Sequence, residues 1–261
     1  MALRVSLIQT DIVWENKTEN LRNIERKIVA LGGETDLVVL PEMFTTGFSM
    51  NSHALAENIS GETISTIKRW AENYDVALCG SFIAEEGGKY YNRGFFISPN
   101  QELYYDKKHL FRMGDERSAF SEGSKRLIVE HKGFNICLLI CYDLRFPVWA
   151  RNVDNEYDLL VYVASWPESR AMVWDTLLKA RALENQSYVC GVNRVGVDGL
   201  KLSYRGGSVL LDAKGRSLSS LKDRAEGVET IEISKEELTD FRQKFPVWMD
   251  ADKFQITENE N

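Results

Sequence analysis

The chain of 261 residues carries a formal charge of −7, with 44% hydrophobic and 11% aromatic residues, enough for a substantial core in one large domain or two small ones. Its acidic residues are spread out and no basic block occurs, which argues against nucleic acid and anionic membranes as partners. No apolar stretch approaches the roughly 20 residues that cross a bilayer, the start lacks the sections of a signal peptide, and four cysteines make no disulfide framework, so a reducing cytoplasm is the expected compartment.

Short apolar runs alternate with helical patterns. Residues 4–9 read as a first strand, and 16–31 as a helix with Leu21, Ile24, Ile28 and Leu31 along one stripe. A strand is expected over 36–40 and a helix over 65–74, the latter with Ile67, Trp70 and Ala71 on one face. Strands at 77–84 and 90–98 flank Glu85-Glu86-Gly87-Gly88, a hairpin-like turn, and 103–106 is another strand. Further strands are expected at 134–140, 159–164, 188–192, 208–212 and 227–233, with helices near 148–152 and over 173–185. Ser234, with Glu237 three residues on, forms a capping box for a closing helix.

No linker or repeat divides the chain, so one domain over residues 1–261 is expected. Its apolar-acidic tail, 245–261, would dock on the body or on a second subunit. The strands are too many for one simple doubly wound sheet. Two mixed sheets packed face to face, with helices outside, would bury these runs on both faces.

The chemistry gathers at strand ends. An apolar run from Ile136 to Ile140 breaks at Cys141-Tyr142-Asp143-Leu144-Arg145-Phe146-Pro147, which presents a thiol where the chain leaves a sheet. A cysteine beside such a run is more often a small core hydrophobe, and Cys79, Cys137 and Cys190 keep that reading. Leu37 to Leu40 runs into Pro41-Glu42, where proline stops ladder pairing. Residues 103–106 run into Lys107-Lys108-His109, and 159–164 into Ser165-Trp166-Pro167. If these strands are neighbours running the same way, Glu42, Lys107, Cys141 and Trp166 share one rim.

Such a set has a chemical rationale. A free thiol titrates at about 8.5; a nearby ammonium lowers that value, and a carboxylate can take the proton. The Lys107 ammonium and the Tyr142 backbone N–H would hold the oxyanion formed on attack at a carbonyl. A Cys–His dyad is the rival, with His109 as its base. Asp143 and Arg145 read as a structural ion pair or local turn contacts, and no metal site is expected because Cys137 and Cys141 lack partners at zinc spacing.

Together these segments resemble the nitrilase superfamily of carbon–nitrogen hydrolases. Leu40-Pro41-Glu42-Met43-Phe44 is similar to its glutamate motif, Tyr105-Asp106-Lys107-Lys108-His109-Leu110-Phe111 to its lysine motif, and Ile140-Cys141-Tyr142-Asp143-Leu144-Arg145-Phe146-Pro147 to its nucleophile motif. The resemblance implies an α-β-β-α sandwich, a homodimer, no cofactor, and a Glu42, Lys107, Cys141 triad acting on a small-molecule amide. It also implies a second glutamate, assigned to Glu116 with Glu122 as the alternative. Within the superfamily the chain looks most like bacterial ω-amidases, which release ammonia from 2-oxoglutaramate or 2-oxosuccinamate. N-carbamoyl, nitrile or other amide hydrolysis, or a silent binding scaffold, are the other readings. Phe44, Phe48 and Trp166 are expected as aromatic pocket walls. Arg145 and Arg170 are candidates for a substrate carboxylate, although a structural salt bridge is the stronger expectation for both.

Overall fold

The computed structural model describes residues 1–256. Its strands are β1 (Ala2–Gln9), β2 (Leu37–Val39), β3 (Ala77–Glu86), β4 (Lys89–Ser98), β5 (Gln101–Asp106), β6 (Leu127–His131), β7 (Phe134–Ile140), β8 (Leu159–Ala164), β9 (Tyr188–Asn193), β10 (Val195–Val197), β11 (Ser203–Arg205), β12 (Val209–Leu211) and β13 (Gly227–Ser234). The helices are α1 (Lys17–Ala30), α2 (Ser52–Leu55), α3 (Glu62–Tyr74), α4 (Glu116–Ala119), α5 (Ala171–Asn185) and α6 (Lys235–Lys244).

One sheet has the order β13-β1-β2-β3-β4-β5 and the other β12-β9-β8-β7-β6. Each is mixed: β1, β2 and β3 run parallel, as do β7, β8 and β9, and the outer pairs are antiparallel. The expected sandwich of two mixed sheets is what forms. Its inner layer buries Leu3, Val5, Leu7 and Phe96 from the first sheet against Ile136, Leu138 and Val161 from the second. Helices α1 and α3 cover the first sheet's outer face through Ile24, Ile28, Ile67 and Trp70, each such side chain contributing roughly 1.5–3 kcal/mol on burial. Helix α5 covers the second through Trp174 and Leu178.

Gly94 in β4 lets the sheets close. A Cβ there would lie 3.2 Å from Leu138 and 3.4 Å from Ile140, just below the end of β7. Because β5 runs parallel to β2, and β8 to β7, the carboxyl ends of all four strands reach the same rim.

Several elements depart from the expectations. The stretch 148–152 forms turns instead of a helix. Asn152 is captured there by tertiary contacts, donating to the carbonyls of Tyr157 and Asn185 and accepting the Tyr157 N–H. Strands β6, β10 and β11 were not foreseen. Only half of the capping box forms: Ser234 Oγ accepts the Glu237 N–H, but the Ser234 N–H goes to the Tyr188 hydroxyl. In the tail, Gln186 Nε2 donates to the Phe245 carbonyl at 2.7 Å, while 251–256 are exposed; the rest of the expected tail lies outside the described residues.

Candidate active site

Cys141 follows β7 directly, with φ of 44°, a left-handed conformation that is strained for a residue with a Cβ. Asp143 over-determines the turn. Its Oδ2 accepts the Ile140 N–H at 3.0 Å and the Tyr105 hydroxyl at 2.7 Å, and its Oδ1 accepts the His109 backbone N–H at 3.0 Å. Arg181 Nη2 adds a bond to the Leu144 carbonyl at 2.6 Å. The chain therefore cannot continue as a strand, and the thiol turns into a cavity.

Glu42 follows Pro41 at the end of β2, and the next residue, Met43, also takes a left-handed φ of 46°. Lys107 follows β5. Glu42, Lys107 and Glu116 are all fully buried. Lys107 Nζ lies 2.9 Å from Glu42 Oε1 and 2.9 Å from each oxygen of Glu116. Burial pulls the ammonium towards its neutral form, but Glu116, then Glu42, and Cys141 more than reverse this and hold it above its ordinary value.

The two carboxylates are satisfied unequally. Glu116 Oε1 takes N–H groups from Asn92 and Lys107, and Oε2 takes them from Phe111 at 2.5 Å and Lys107. Every good acceptor direction is used, so this carboxylate has nowhere to receive a substrate proton. Burial, against the pull of Lys107, raises its affinity for a proton, and the N–H shell opposes that. Glu42 Oε1 is likewise filled, by Asn92 at 2.8 Å and Lys107, whereas Oε2 accepts no N–H among the described residues besides that of Ser165 at 2.9 Å. Glu42 thus keeps a lone pair for the Cys141 thiol beside it.

Cys141 differs from the sequence expectation. Burial first, and then the Glu42 charge, push its thiol well above the ordinary value, and Lys107 only offsets part of this. The thiol rests protonated, so activation needs a base at the moment of attack.

The cavity has a volume of about 320 Å³ and is lined by Cys141, Lys107 and Ser165 together with Phe48, Phe111, Tyr142, Trp166 and Tyr204. The Lys107 ammonium sits 5.3 Å from the Phe48 ring centroid, and the Trp166 indole N–H is tied to the Arg170 carbonyl at 2.9 Å. Phe44 is not part of this wall. It lies in the helix-side core, edge-on to Phe95 at 6.0 Å, because Met43 reverses the chain between Glu42 and Phe44.

Arg145 and Arg170 correct another expectation. Among the described residues neither makes a salt bridge; both line the cavity, Arg145 over Trp166 at 5.2 Å and Arg170 over Phe111 at 5.1 Å. Asp143 is occupied by the elbow, which is why the local pair with Arg145 does not form. His109 does not line the cavity. Its Nδ1 meets Asp143 Oδ1 at 2.8 Å and its ring stacks on Phe146 at 3.8 Å. Glu122 is exposed, and Cys79, Cys137 and Cys190 are buried away from the cavity, with burial raising all three thiols.

Sequence reasoning missed Asn92, Ser165, Tyr204 and the β10–β11 hairpin. Asn92 did leave a signal, a lone amide just ahead of the apolar run Phe95-Phe96-Ile97 in the same strand. The hairpin left little: Gly199 matters because a Cβ there would meet the Trp14 indole at 2.5 Å. Asp198 then holds the loop, taking the N–H groups of Leu200 and Leu202 and the Tyr204 hydroxyl.

The carbon–nitrogen hydrolase family model matches residues 4–243. The chain is 40% identical to omega-amidase YafV of Escherichia coli K12, over 97% of this chain and 98% of that protein. It is 33% identical to the 2-oxoglutaramate amidase of Bacillus subtilis, over 97% and 99%. The crystal structure of XC1258 from Xanthomonas campestris, a CN-hydrolase superfamily protein with an arsenic adduct in its active site, superposes with a TM-score of 0.96 at 39% identity, covering 98% of this chain and all of that one.

Proposed function

The chain belongs to the carbon–nitrogen hydrolase family and hydrolyses carbon–nitrogen bonds, and we propose that it is an ω-amidase releasing ammonia from the terminal amide of a 2-oxo dicarboxylic acid such as 2-oxoglutaramate or 2-oxosuccinamate. The observation that carries the substrate class is the pair Arg145 and Arg170, which line the cavity and make no salt bridge among the described residues, the Asp198 carboxylate at the same cavity being taken up by Leu200, Leu202 and Tyr204. A cation left unpaired beside a cavity is matched by an anionic ligand. The relatives named for ω-amidase and 2-oxoglutaramate amidase activity support the same reading.

In this mechanism Glu42 Oε2 takes the Cys141 proton through its open lone pair as Sγ bonds to the amide carbon. The tetrahedral oxyanion is held by the Lys107 ammonium and the Tyr142 backbone N–H. At rest all three ammonium hydrogens face carboxylate oxygens. One of the two directed at Glu116 is free to turn to the oxyanion while the other keeps the ion pair. Protonated Glu42 passes its proton to the amide nitrogen, the C–N bond breaks, and ammonia leaves a thioester. A water then gives a proton to Glu42 and attacks the thioester; collapse expels the thiolate, which recovers the proton and releases the acid. Glu116, saturated by N–H donors, orients Lys107 and takes no part in the proton transfers.

The same reading takes the protein as a cytoplasmic homodimer; Phe245 and Met249, both exposed, are apolar surface that a second subunit would cover. The test is ammonia release from 2-oxoglutaramate, from the amide lacking its oxo-acid end, from an N-carbamoyl amino acid and from a nitrile. The 2-oxo acid amide should lead by at least tenfold in kcat/KM. Faster turnover of either of the last two would overturn the substrate assignment.

A further inference from the structure

Asn92 sits wholly buried in the interior of β4, and both hydrogens of its side-chain amide go to carboxylates. It donates to Glu42 Oε1 at 2.8 Å and to Glu116 Oε1 at 3.0 Å. Lys107 Nζ reaches the same two oxygens at 2.9 Å. The two Oε1 atoms thus lie between an ammonium on one side and an amide on the other. The Asn92 backbone carbonyl also accepts the Lys107 N–H at 3.0 Å. Turned over, the amide would aim its oxygen at two anions, so the chemistry fixes its orientation. In the observed orientation Asn92 Oδ1 has no partner among the described residues. A buried acceptor left unmatched is unfavourable, and here it accompanies two donors directed at the catalytic cluster.

Charge explains what those donors do. The cluster holds two carboxylates, one ammonium and a neutral thiol, an excess of one negative charge in a dry site. Like charges at that spacing favour a shared proton. Glu42 accepts three N–H bonds and Glu116 four, so losing the Asn92 donor leaves Glu42 with the thinner shell, and a protonated Glu42 is no base. The other polar groups lining the cavity do not replace the missing donor: Tyr204 turns its hydroxyl to Asp198, and Arg145 and Arg170 stack on Trp166 and Phe111.

We propose that Asn92 is a positioning residue that keeps Glu42 ionised beside Glu116 and thereby sets the acidic limit of the reaction. This deepens the reading of Glu42 as the base and rests on it. The experiment follows kcat/KM against pH, and separately the rate of Cys141 alkylation by iodoacetamide against pH, in wild type, Asn92→Ala, Asn92→Asp and Glu42→Gln. In Asn92→Ala the acidic limb of both profiles should move up by roughly one pH unit, a tenfold change in proton affinity. Asn92→Asp, nearly the same shape and therefore a guard against misfolding, should move it further, because it adds a third acidic group. At high pH both variants should return to within severalfold of wild type. A uniform loss at every pH with unmoved midpoints, in the variant that melts like wild type, would make Asn92 merely structural and overturn the proposal. If Glu42→Gln removes the limb while the Asn92 variants leave it unmoved, only the Asn92 proposal fails. If Glu42→Gln keeps the limb, the base assignment fails and takes the proposal with it.

Discussion

The two rims of the sandwich both carry buried charge, but with opposite balance. At the amino ends of β2 and β8, Asp36 and Asp158 each face two cations. Asp36 meets Arg4 at 3.0 Å and Lys132 at 2.7 Å, and Asp158 meets Arg242 at 3.0 Å and Lys235. Each also accepts a backbone N–H from the neighbouring strand, Arg4 and Asn135 respectively. At the carboxyl ends, Glu42 and Glu116 share the single ammonium of Lys107. A carboxylate with surplus partners is a fastener. A carboxylate with a lone pair to spare, in a cluster short of positive charge, is a base in waiting. The difference lies in the balance of partners and in their access to solvent, since Arg4 and Lys132 are 40% and 46% exposed while Glu42, Glu116 and Lys107 are fully buried.

That contrast can be tested from its strongest side downwards. Glu42→Gln and Cys141→Ala should each cost turnover on the order of 10⁴-fold, the scale of a general base or nucleophile, with little change in melting. Lys107→Ala should lose a comparable amount through the oxyanion. His109→Ala should lose far less, and an equal loss in that variant would restore the histidine dyad.

On the opposite rim Asp158→Ala strands the Arg242 guanidinium, and removing one partner of a buried pair costs about 3–5 kcal/mol. Denaturant unfolding should record that loss while kcat of the folded fraction stays near wild type. Substrate recognition comes next. Arg145→Ala should raise KM for 2-oxoglutaramate by roughly 10- to 100-fold, the value of a charged hydrogen bond, and leave KM for an uncharged amide within about twofold. Equal effects on both substrates would remove Arg145 from carboxylate binding.

The smallest effect concerns acid stability. Burial alone would raise the Asp36 carboxyl, but hydrogen bonds from Arg4 and Lys132 more than reverse this and hold it well below its ordinary range. A depressed folded value stabilises above the unfolded value of about 3.9 and is lost as pH falls through the folded one. Melting of Asp36→Asn compared with wild type should therefore show a deficit at neutral pH that narrows below about pH 4. A deficit independent of pH would assign the residue a packing role instead.

Much of this was readable before any coordinates. The alternating strand and helix signals placed most of the sheets, because period-two and period-3.6 patterns are local. The motif segments around Glu42, Lys107 and Cys141 named groups that the fold brings to one rim, and the lysine motif chose Lys107, which meets Glu42 and Glu116, over Lys108. Where reading failed, the deciding contact was distant. The helix expected at 148–152 gave way to Asn152's bonds with Tyr157 and Asn185. Phe44 left the pocket because one left-handed residue intervenes. Arg145 was freed because Tyr105 and His109, far along the chain, claim Asp143.

The amino-acid order determined which chemical groups are available and where strands must stop, since a proline, a run of apolar residues or an acidic turn acts within a few positions. Only the tertiary structure decided how those groups share protons. Whether the thiol rests ionised, which glutamate is saturated and which arginines stay unpaired depend on distances of about 3 Å between segments tens of residues apart, and hydrogen bonds and charges in a dry interior are set by such distances.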